Sequence, residues 1–222
     1  MLVRSVKKND DIMVEEQLLA SQEDYRDAGV HFATKVKSPG MKKFIYRVRN
    51  DGLYLLGIKT IDARIVVAAK LIARYAPGDV VATASRIYAI APAQKFAELI
   101  GAKFIKGRVV PGVFTNPNRQ DYIEPKLLFI SDSRNEKQAV KEATKVNIPI
   151  IALCDTDNST KFIDLIIPAN NHGRRSLAFV YYLLAREVLK ARGTISSNEE
   201  FKYNVDDFET KVEAMQRTTQ EQ

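Results

Sequence analysis

The chain has 222 residues, of which 45% are hydrophobic and 27% are charged. This composition excludes a disordered chain, a fibrous repeat and a low-complexity polymer, and the length fits one generous domain. A single cysteine, Cys154, cannot form an intramolecular disulfide, and with two histidines it cannot build a thiolate and imidazole zinc site. No stretch is apolar enough for a signal peptide or a membrane span. We therefore expect a soluble protein of a reducing, cytoplasmic compartment.

The net charge of +7 is distributed unevenly along the chain. Residues 1–27 hold four Lys/Arg and seven Asp/Glu, and residues 194–222 hold three and seven. Residues 28–193 hold 27 and 13, which gives this part alone a net charge of +14. A basic body with acidic ends indicates a polyanionic partner, with nucleic acid as the leading candidate and an ordinary basic surface as the alternative. The ends are expected to stay in solvent or to meet basic neighbours.

The first predicted elements are a helix over residues 14–27, ended by Gly29, and a β-hairpin over residues 44–56. The turn-forming sequence Asn50-Asp51-Gly52 predicts the hairpin. Unbroken apolar runs follow, as expected of strands that are buried on both faces of a parallel sheet. These runs lie at residues 80–83, 102–105, 127–131, 150–154 and 165–167.

Helices are predicted between these runs. Thr60 is expected to cap a helix that ends near Tyr75, and Pro92 to begin a helix that ends at Gly101. Ser133 and Glu136 have the spacing of a capping box at the start of the next helix. Residues 175–192 carry apolar side chains on two sides, which predicts a helix between the sheet and another segment, either the first helix or the tail.

The sequence thus predicts an α/β fold, a doubly wound parallel sheet flanked by helices, with an N-terminal helix and a β-hairpin. One domain is expected over residues 1–193, followed by an acidic tail over residues 194–222. No order is predicted for this tail beyond one amphipathic turn near residues 205–215.

The carboxyl ends of the predicted strands bring polar side chains to one edge of the sheet. Asp132, Asp155 and Asp157 could there hold Mg²⁺ or a phosphorylated ligand, as in an α/β enzyme or ligand-binding module. The alternative is that these residues cap helices and form turns. Glycine-rich phosphate loops and nucleophile motifs are absent from the sequence, and Cys154 is predicted to be a buried core residue rather than a reactive thiol.

Basic side chains are concentrated in loops and in the hairpin, where they can neutralise phosphates without reading bases. The segment of residues 170–175 before the last helix can either hold a phosphate or form a helix cap. No aromatic-interleaved motif for single strands is present, so contact with folded RNA or DNA is favoured. The candidate residues are Lys35, Lys37, Lys42, Lys43, Arg47, Arg49, Arg86, Lys106, Arg108, Asn116, Arg119, Arg174 and Arg175.

Several stretches resemble, in order, a known family, that of the second protein of the small ribosomal subunit. They are AGVHF at residues 28–32, KKFIYRVRNDGL at 42–53, PGVFTN at 111–116, PKLLFISDSRNEKQAVKEA at 125–143, ALCDTDN at 152–158 and IPANN at 167–171. The resemblance covers about residues 15–193. Bacterial relatives carry a long helical hairpin after the PGxxTN loop, whereas here only residues 117–124 precede the next strand. This short loop, without a long carboxy-terminal extension, is similar to the archaeal type.

The resemblance implies a flavodoxin-like domain that is a structural constituent of the small ribosomal subunit and supports translation. It implies binding to small-subunit (16S-type) rRNA and to neighbouring ribosomal proteins, near the junction of head and body on the solvent side. It implies neither catalysis nor a cofactor, a metal, a membrane or a small-molecule substrate.

Overall fold

The computed structural model describes residues 18–211. The strands are β1 (Ile45–Val48), β2 (Tyr54–Leu56), β3 (Val80–Ala84), β4 (Lys103–Lys106), β5 (Leu127–Ile130), β6 (Ile150–Cys154) and β7 (Leu165–Pro168). The α-helices are α1 (Gln22–Asp27), α2 (Ile58–Ala73), α3 (Ile87–Ile100), α4 (Lys137–Lys145) and α5 (Arg174–Ala191). Short 3₁₀ helices span Pro39–Phe44, Pro77–Asp79 and Val205–Phe208.

The last five of these strands form one parallel sheet in the order β4-β3-β5-β6-β7. Every residue of β3, β5, β6 and β7 is buried, as expected of strands that are covered on both faces. The chain moves outward from β3 to β4 in one direction and from β5 to β6 in the other. Right-handed crossovers therefore place α3 and α4 on opposite faces of the sheet. The predicted α/β fold with a doubly wound parallel sheet is confirmed.

The predicted hairpin is also confirmed. β1 and β2 pair antiparallel, and the amide of Arg49 donates to the carbonyl of Leu53 at 2.8 Å across the turn. Gly52 has a φ of +84°, a left-handed conformation that few other residues adopt at low cost. The conformation of residue 52 therefore favours glycine, the residue that the sequence has at this position.

Helices α1 and α2 begin at other residues than predicted. The helix expected from residue 14 begins at Gln22, because Ser21 and Asp24 form a capping box whose two hydrogen bonds are both 3.1 Å long. Residues 18–20 are not helical, and residues 14–17 of that prediction lie outside the described part of the chain. The second helix starts after Gly57, so Thr60 lies within its first turn instead of capping it.

The helix predicted to begin at Pro92 starts five residues earlier, at Ile87, so Pro92 lies inside α3. The amides of Ala89 and Ile90 already bond to the carbonyl of Arg86, which makes Arg86 the residue that precedes the first turn. The predicted end at Gly101 is correct, because this glycine has a φ of +70° and ends α3 in the left-handed conformation.

Helix α5 lies between the sheet and two other segments, as its two apolar sides predict. Tyr181 faces the sheet and packs with Phe96 and Phe129, with ring centroids 5.6 and 5.7 Å away. On the other sides, Phe179 meets Tyr25 of α1 at 5.1 Å. Tyr182 contacts Phe201 and Phe208, which follow α5 in the chain.

Residues 194–211, here called the C-terminal segment, pack against the rest of the protein. Phe201 and Phe208 are buried, with ring centroids 5.4 and 6.0 Å from that of Tyr182. The tail is thus one of the segments that cover the last helix, as one of the two predicted alternatives has it, and it is more ordered than the single turn predicted for it. The amphipathic turn expected near residues 205–215 corresponds in part to the 3₁₀ helix Val205–Phe208, and residues 212–215 lie outside the described part. None of the helices within residues 18–211 is long and apolar enough to cross a membrane.

Candidate nucleic-acid interface

Six of the candidate residues lie together on the hairpin and on the loop that leads into it. Residues 34–49 contain these six Lys/Arg and no Asp or Glu. All six side chains are exposed, and we call them the hairpin patch. The hairpin patch consists of Lys35, Lys37, Lys42, Lys43, Arg47 and Arg49. Arg49 forms an exposed ion pair with Asp51 at 3.3 Å, so the charge of the patch is reduced only at the turn.

The loop that carries four of the six residues of the hairpin patch is fixed to the carboxyl edge of the sheet. The amide of Ser38 donates to the carbonyl of Thr156 at 2.7 Å, and the hydroxyls of Thr34 and Thr156 are 3.0 Å apart. A Cβ atom on Gly40 would lie 1.9 Å from the Oγ1 atom of Thr160, so the two loops touch at a position that requires glycine. These contacts give the basic loop a rigid support on the loop after β6.

The same loop forms a shallow surface depression of about 570 Å³, lined by Pro39, Gly40, Lys42 and Lys43. Its two lysines are exposed cations on a 3₁₀ helix, and the ammonium of Lys43 also lies 5.0 Å from the ring centre of Phe44. Phe44 is buried, so this ring limits the positions that the ammonium can take. Such an arrangement can receive an anionic group of phosphate size.

A second pair of candidates, Lys106 and Arg108, lies at the carboxyl end of β4, the outermost strand on one side of the sheet. Both side chains are exposed. Because neighbouring strands are about 4.8 Å apart, the ends of β4 and β6 are separated by about 14 Å. The hairpin patch and this pair thus flank the carboxyl edge of the sheet from two sides.

The irregular segment after β4 is held by a buried carboxylate. Glu142 of α4 accepts hydrogen bonds from the amides of Gly112 at 2.7 Å and Phe114 at 3.1 Å. Hydrogen bonds from Gln138 and from these two amides lower the pKa of Glu142 against the opposing effect of its burial. On this segment Asn116 is exposed, whereas the guanidinium of Arg119 forms a two-bond ion pair with Asp121. Arg119 is therefore less available to a phosphate than the sequence indicates.

In doubly wound sheets, ligands bind where the strand order reverses, which here is the crevice between β3 and β5. The protein's own side chains occupy this crevice. The carboxylate of Asp132 is fully buried and accepts from Arg86 at 2.7 Å and from the amide of Arg134 at 2.9 Å. The side-chain amide of Asn158 donates to it as well. Arg86 is therefore already paired with Asp132 and His172.

The predicted capping box of the same region is absent. The hydroxyl of Ser133 donates to the carbonyl of Ser159 at 2.8 Å, and α4 begins only at Lys137. The Glu136 side chain points across to β3, where it accepts from the hydroxyl of Thr83 and from the amide of Ser85 at 3.1 Å. Burial raises the pKa of Glu136 to about 8. The buried carboxyl group of Glu136 thus occupies space in the crevice between β3 and β5.

The carboxylates of Asp132, Asp155 and Asp157 do not converge as the metal hypothesis requires. Instead, ligand atoms of Asp155, Asp157 and His172 lie within 4.8 Å of one another. Burial, with the nearby Asp157 as a smaller cause, raises the pKa of Asp155 to about 6. Arg86 lies 3.0 Å from the Nδ1 atom of His172, and because a guanidinium only donates, this nitrogen accepts.

This tautomer decides whether the cluster fits a cation. With Nδ1 accepting, the Nε2 atom of neutral His172 carries the proton, 3.6 Å from Asp155 and 3.9 Å from Asp157. Burial, and next to it the charge of Arg86, lower the pKa of His172, which favours the neutral form. Nε2 then offers no lone pair, so His172 cannot serve as a metal ligand in this arrangement.

The segment before α5 forms a turn, and α5 begins after Gly173 without a side-chain hydrogen bond to its first-turn amides. The side-chain oxygen of Asn170 accepts from the amides of His172 at 3.0 Å and Gly173 at 3.1 Å. Asn170 thus orders residues 172 and 173. Arg174 forms an ion pair with Glu209 of the C-terminal segment at 2.6 Å, whereas Arg175 is exposed.

Some residues of the candidate surface were missed by the sequence analysis. Lys161 is exposed beside Thr160, the residue that contacts Gly40, so it borders the hairpin patch. Tyr46 is 80% exposed within that patch. Its position in the predicted hairpin was the only feature of the sequence that could have indicated an exposed ring. Cys154, by contrast, is buried, and burial raises the pKa of its thiol to about 12, which confirms the prediction of an unreactive core residue.

Comparison with known proteins identifies relatives of this chain. The family model described as ribosomal protein S2 matches residues 118–191. A protein of Thermoplasma acidophilum named small ribosomal subunit protein uS2 is 51% identical over 199 residues, which cover 90% of this chain and 100% of the relative. Proteins of the same name from Picrophilus torridus and Saccharolobus solfataricus are 50% and 48% identical, over 90% and 88% of this chain and 100% and 85% of the relatives.

These relatives are archaeal proteins, as the short loop after the PGxxTN stretch predicts, and they are named as ribosomal proteins, not as enzymes. The match extends over the hairpin, the sheet and α5. Since about half of the residues are identical over nearly the whole chain, the chain belongs to the ribosomal protein S2 family.

Proposed function

We propose that this protein is a structural component of the small ribosomal subunit, where it binds 16S-type rRNA and neighbouring ribosomal proteins and supports translation. Its site of action is then the ribosome in the cytoplasm. The names of its relatives support this proposal. The observation that carries the RNA contact is the hairpin patch, six exposed cations within residues 34–49 that include no acidic residue.

The chemistry of this patch suits a phosphate backbone. Lysine and arginine neutralise phosphates and release their counterions, and they do so without reading sequence. The patch belongs to a hairpin and a loop that are fixed to the sheet by the bond from Ser38 to Thr156. A rigid basic surface of this kind positions a folded RNA at little entropic cost.

The candidates divide into two groups by their own partners. Ten residues present exposed side chains and are proposed to meet rRNA. They are Lys35, Lys37, Lys42, Lys43, Arg47, Arg49, Lys106, Arg108, Asn116 and Arg175. Three others, Arg86, Arg119 and Arg174, form ion pairs of 2.6–2.7 Å with carboxylates, shorter than the 3.3 Å pair of Arg49 with Asp51. We propose that these three arginines mainly stabilise the folded surface through their ion pairs and contact rRNA less than the first group does.

Acidic side chains lie on the C-terminal segment, which packs on α5. Glu199, Glu200, Asp206 and Asp207 are exposed there. Their charge repels phosphate and is complementary to the basic ribosomal proteins that surround rRNA. We propose that this segment faces solvent or a basic protein neighbour and not RNA.

Filter binding of the purified protein to in vitro transcribed small-subunit rRNA over a series of salt concentrations tests the proposal. If about six phosphates are contacted, the plot of log affinity against log salt should have a slope of about −4 to −5. The double variant Lys42→Gln and Lys43→Gln should make this slope shallower by about 1.4 to 1.8. A flat salt response of the wild-type protein would contradict an electrostatic contact with RNA.

A matched control uses two exposed lysines of α4, Lys137 and Lys141, changed together to glutamine. This variant loses the same charge from a helix outside the hairpin patch. It should bind with a wild-type slope, and equal slopes for both double variants would show that the hairpin patch has no special part in binding. Co-sedimentation of tagged protein with small subunits provides the corresponding test in cell extract.

A further inference from the structure

Tyr46 is the extra residue of a β-bulge in the hairpin. Ile45 pairs with Leu56 and Arg47 with Leu55, so two steps along β1 correspond to one step along β2. Tyr46 has no cross-strand partner, and 80% of it is exposed. Bulges re-aim side chains and often occur at functional positions, and exposure of a whole phenol ring sacrifices the apolar burial that tyrosine normally provides.

The other aromatic rings of this region, Phe44 and Tyr54, already contact cations of the protein. Phe44 is buried, with the ammonium of Lys43 at 5.0 Å and the guanidinium of Arg64 at 5.4 Å from its ring centre. The ring of Tyr54 lies beneath the ammonium of Lys37 at 5.3 Å. Among the contacts found within residues 18–211, neither a cation nor a second ring covers Tyr46. Its flat face is therefore open to an external partner.

The surroundings of Tyr46 define the chemistry of this partner. Lys42 and Lys43 precede it, Arg47 and Arg49 follow it, and all four side chains are exposed. A flat aromatic face among cations combines a stacking surface with phosphate neutralisation, the two contacts by which proteins bind single-stranded nucleic acid. A basic protein partner would be repelled by these charges.

We propose that Tyr46 stacks on an unpaired base of rRNA while the neighbouring cations hold the phosphates of that nucleotide and the next. The inference rests on the proposed function, because it names the part of the RNA that the hairpin patch recognises. Bases within a helix present no free face, so the target lies in a loop, a bulge or a strand end.

The first test measures the affinity of Tyr46→Ala and Tyr46→Phe for small-subunit rRNA. The alanine variant should bind about 5-fold to 150-fold more weakly, and the phenylalanine variant, which keeps the ring, should bind nearly as the wild type. Because stacking releases no counterions, the salt slope of Tyr46→Ala should equal that of the wild type. Tyr88→Ala, at a tyrosine of α3 that is 41% exposed, is the control and should not change the affinity.

The second test uses fluorescence, since the protein contains no tryptophan. Tyr46→Trp introduces a single indole at the bulge, and its emission should be quenched when rRNA is added. Tyr88→Trp should show no quenching. The melting temperature of each Tyr46 variant should lie within about 2 °C of the wild type, because the position is exposed.

The outcomes separate this inference from the proposed function. If the wild type does not bind rRNA at all, the proposed function fails and the inference with it. If the wild type binds with a steep salt slope but Tyr46→Ala binds equally well, only the inference is overturned. It is also overturned if the emission of Tyr46→Trp is unchanged by rRNA and responds only to ribosomal proteins, since a protein surface would then cover the ring.

Discussion

The hydroxyl of Thr210 donates a hydrogen bond to the carbonyl oxygen of Tyr88 at 3.2 Å. Within α3 this carbonyl would normally pair with the amide of residue 92, but Pro92 has no N–H group. The C-terminal segment thus supplies a donor that the helix lacks. Together with the burial of Phe201 and Phe208, this bond makes residues 194–211 a structural part of the protein.

We predict that Phe208→Ala destabilises the protein by about 3–5 kcal/mol, because it removes a fully buried ring from the contact with Tyr182. The melting temperature should fall by roughly 10 °C in a thermal scan followed by circular dichroism. Lys202→Ala, at an exposed position of the same segment, should melt as the wild type. Equal melting of all three proteins would show that the C-terminal segment contributes nothing to stability.

The second prediction concerns pH and Glu136. Burial raises its pKa from the ordinary 4.5 to about 8 in the folded protein. The folded state therefore holds this proton more tightly than the unfolded state does, so the contribution of Glu136 to stability is fully present below pH 4.5 and is lost as the pH rises toward 8. Asp155, whose pKa is raised to about 6, adds a similar fall at lower pH.

Glu136→Gln should remove most of this fall between pH 6 and pH 9, because glutamine keeps an acceptor for Ser85 and has no proton to lose. Urea unfolding at several pH values measures the free energy of unfolding for both proteins. The wild type should lose stability over this range, and the variant should change little. Parallel curves for the two proteins would mean that Glu136 does not bind its proton in the folded state as its burial requires.

The sheet could be predicted from the sequence because four of its strands are buried on both faces, and continuous apolar runs are a direct signature of that environment. The helix starts were less predictable. Ser133 and Glu136 have capping-box spacing, but a long-range partner, Thr83, takes the carboxylate, and sequence spacing contains no information on it. Pro92 is tolerated inside α3 because Thr210, more than 100 residues later, satisfies the carbonyl that proline leaves free.

The candidate surface could be predicted in part for a similar reason. The hairpin patch is dense in a short stretch of sequence, so its residues are neighbours in any hairpin. The ion pairs of Arg86 with Asp132 and of Arg174 with Glu209 join residues 46 and 35 positions apart. Such pairs depend on the tertiary fold, so the local sequence could not show that these two arginines already have partners.

The third prediction separates Arg174 from Arg175. Arg175→Glu should weaken incorporation into small subunits and leave the melting temperature unchanged, because its side chain is exposed. Arg174→Glu should place two carboxylates together at Glu209 and lower stability by about 1 kcal/mol or less, since the pair is partly exposed. The charge exchange Arg174→Glu with Glu209→Arg should restore the melting temperature.

These variants are compared by co-sedimentation and by melting curves on the same preparations. If Arg175→Glu enters subunits as the wild type does, Arg175 is a solvated residue of the helix start and leaves the set of proposed rRNA contacts. If the charge exchange fails to restore the melting temperature, the ion pair of Arg174 with Glu209 does not contribute to stability.

The last prediction tests whether the hairpin patch depends on its support. Gly40→Ala would bring a Cβ atom 1.9 Å from Oγ1 and 2.9 Å from Cβ of Thr160, so rotation of the threonine side chain cannot remove the clash. The loop of residues 38–43 must then move away from the sheet edge, at a cost of about 1–3 kcal/mol. Because Lys42 and Lys43 move with it, we expect weaker rRNA binding as well as a lower melting temperature.

Thr160→Gly removes the atoms that clash and is the matched second change. The double variant Gly40→Ala with Thr160→Gly should recover rRNA affinity relative to Gly40→Ala alone, although the added glycine itself lowers stability somewhat. Recovery of binding without full recovery of the melting temperature would show that the position of the loop, and not overall stability, controls binding. If Gly40→Ala binds rRNA as tightly as the wild type, the hairpin patch acts independently of its contact with the loop after β6.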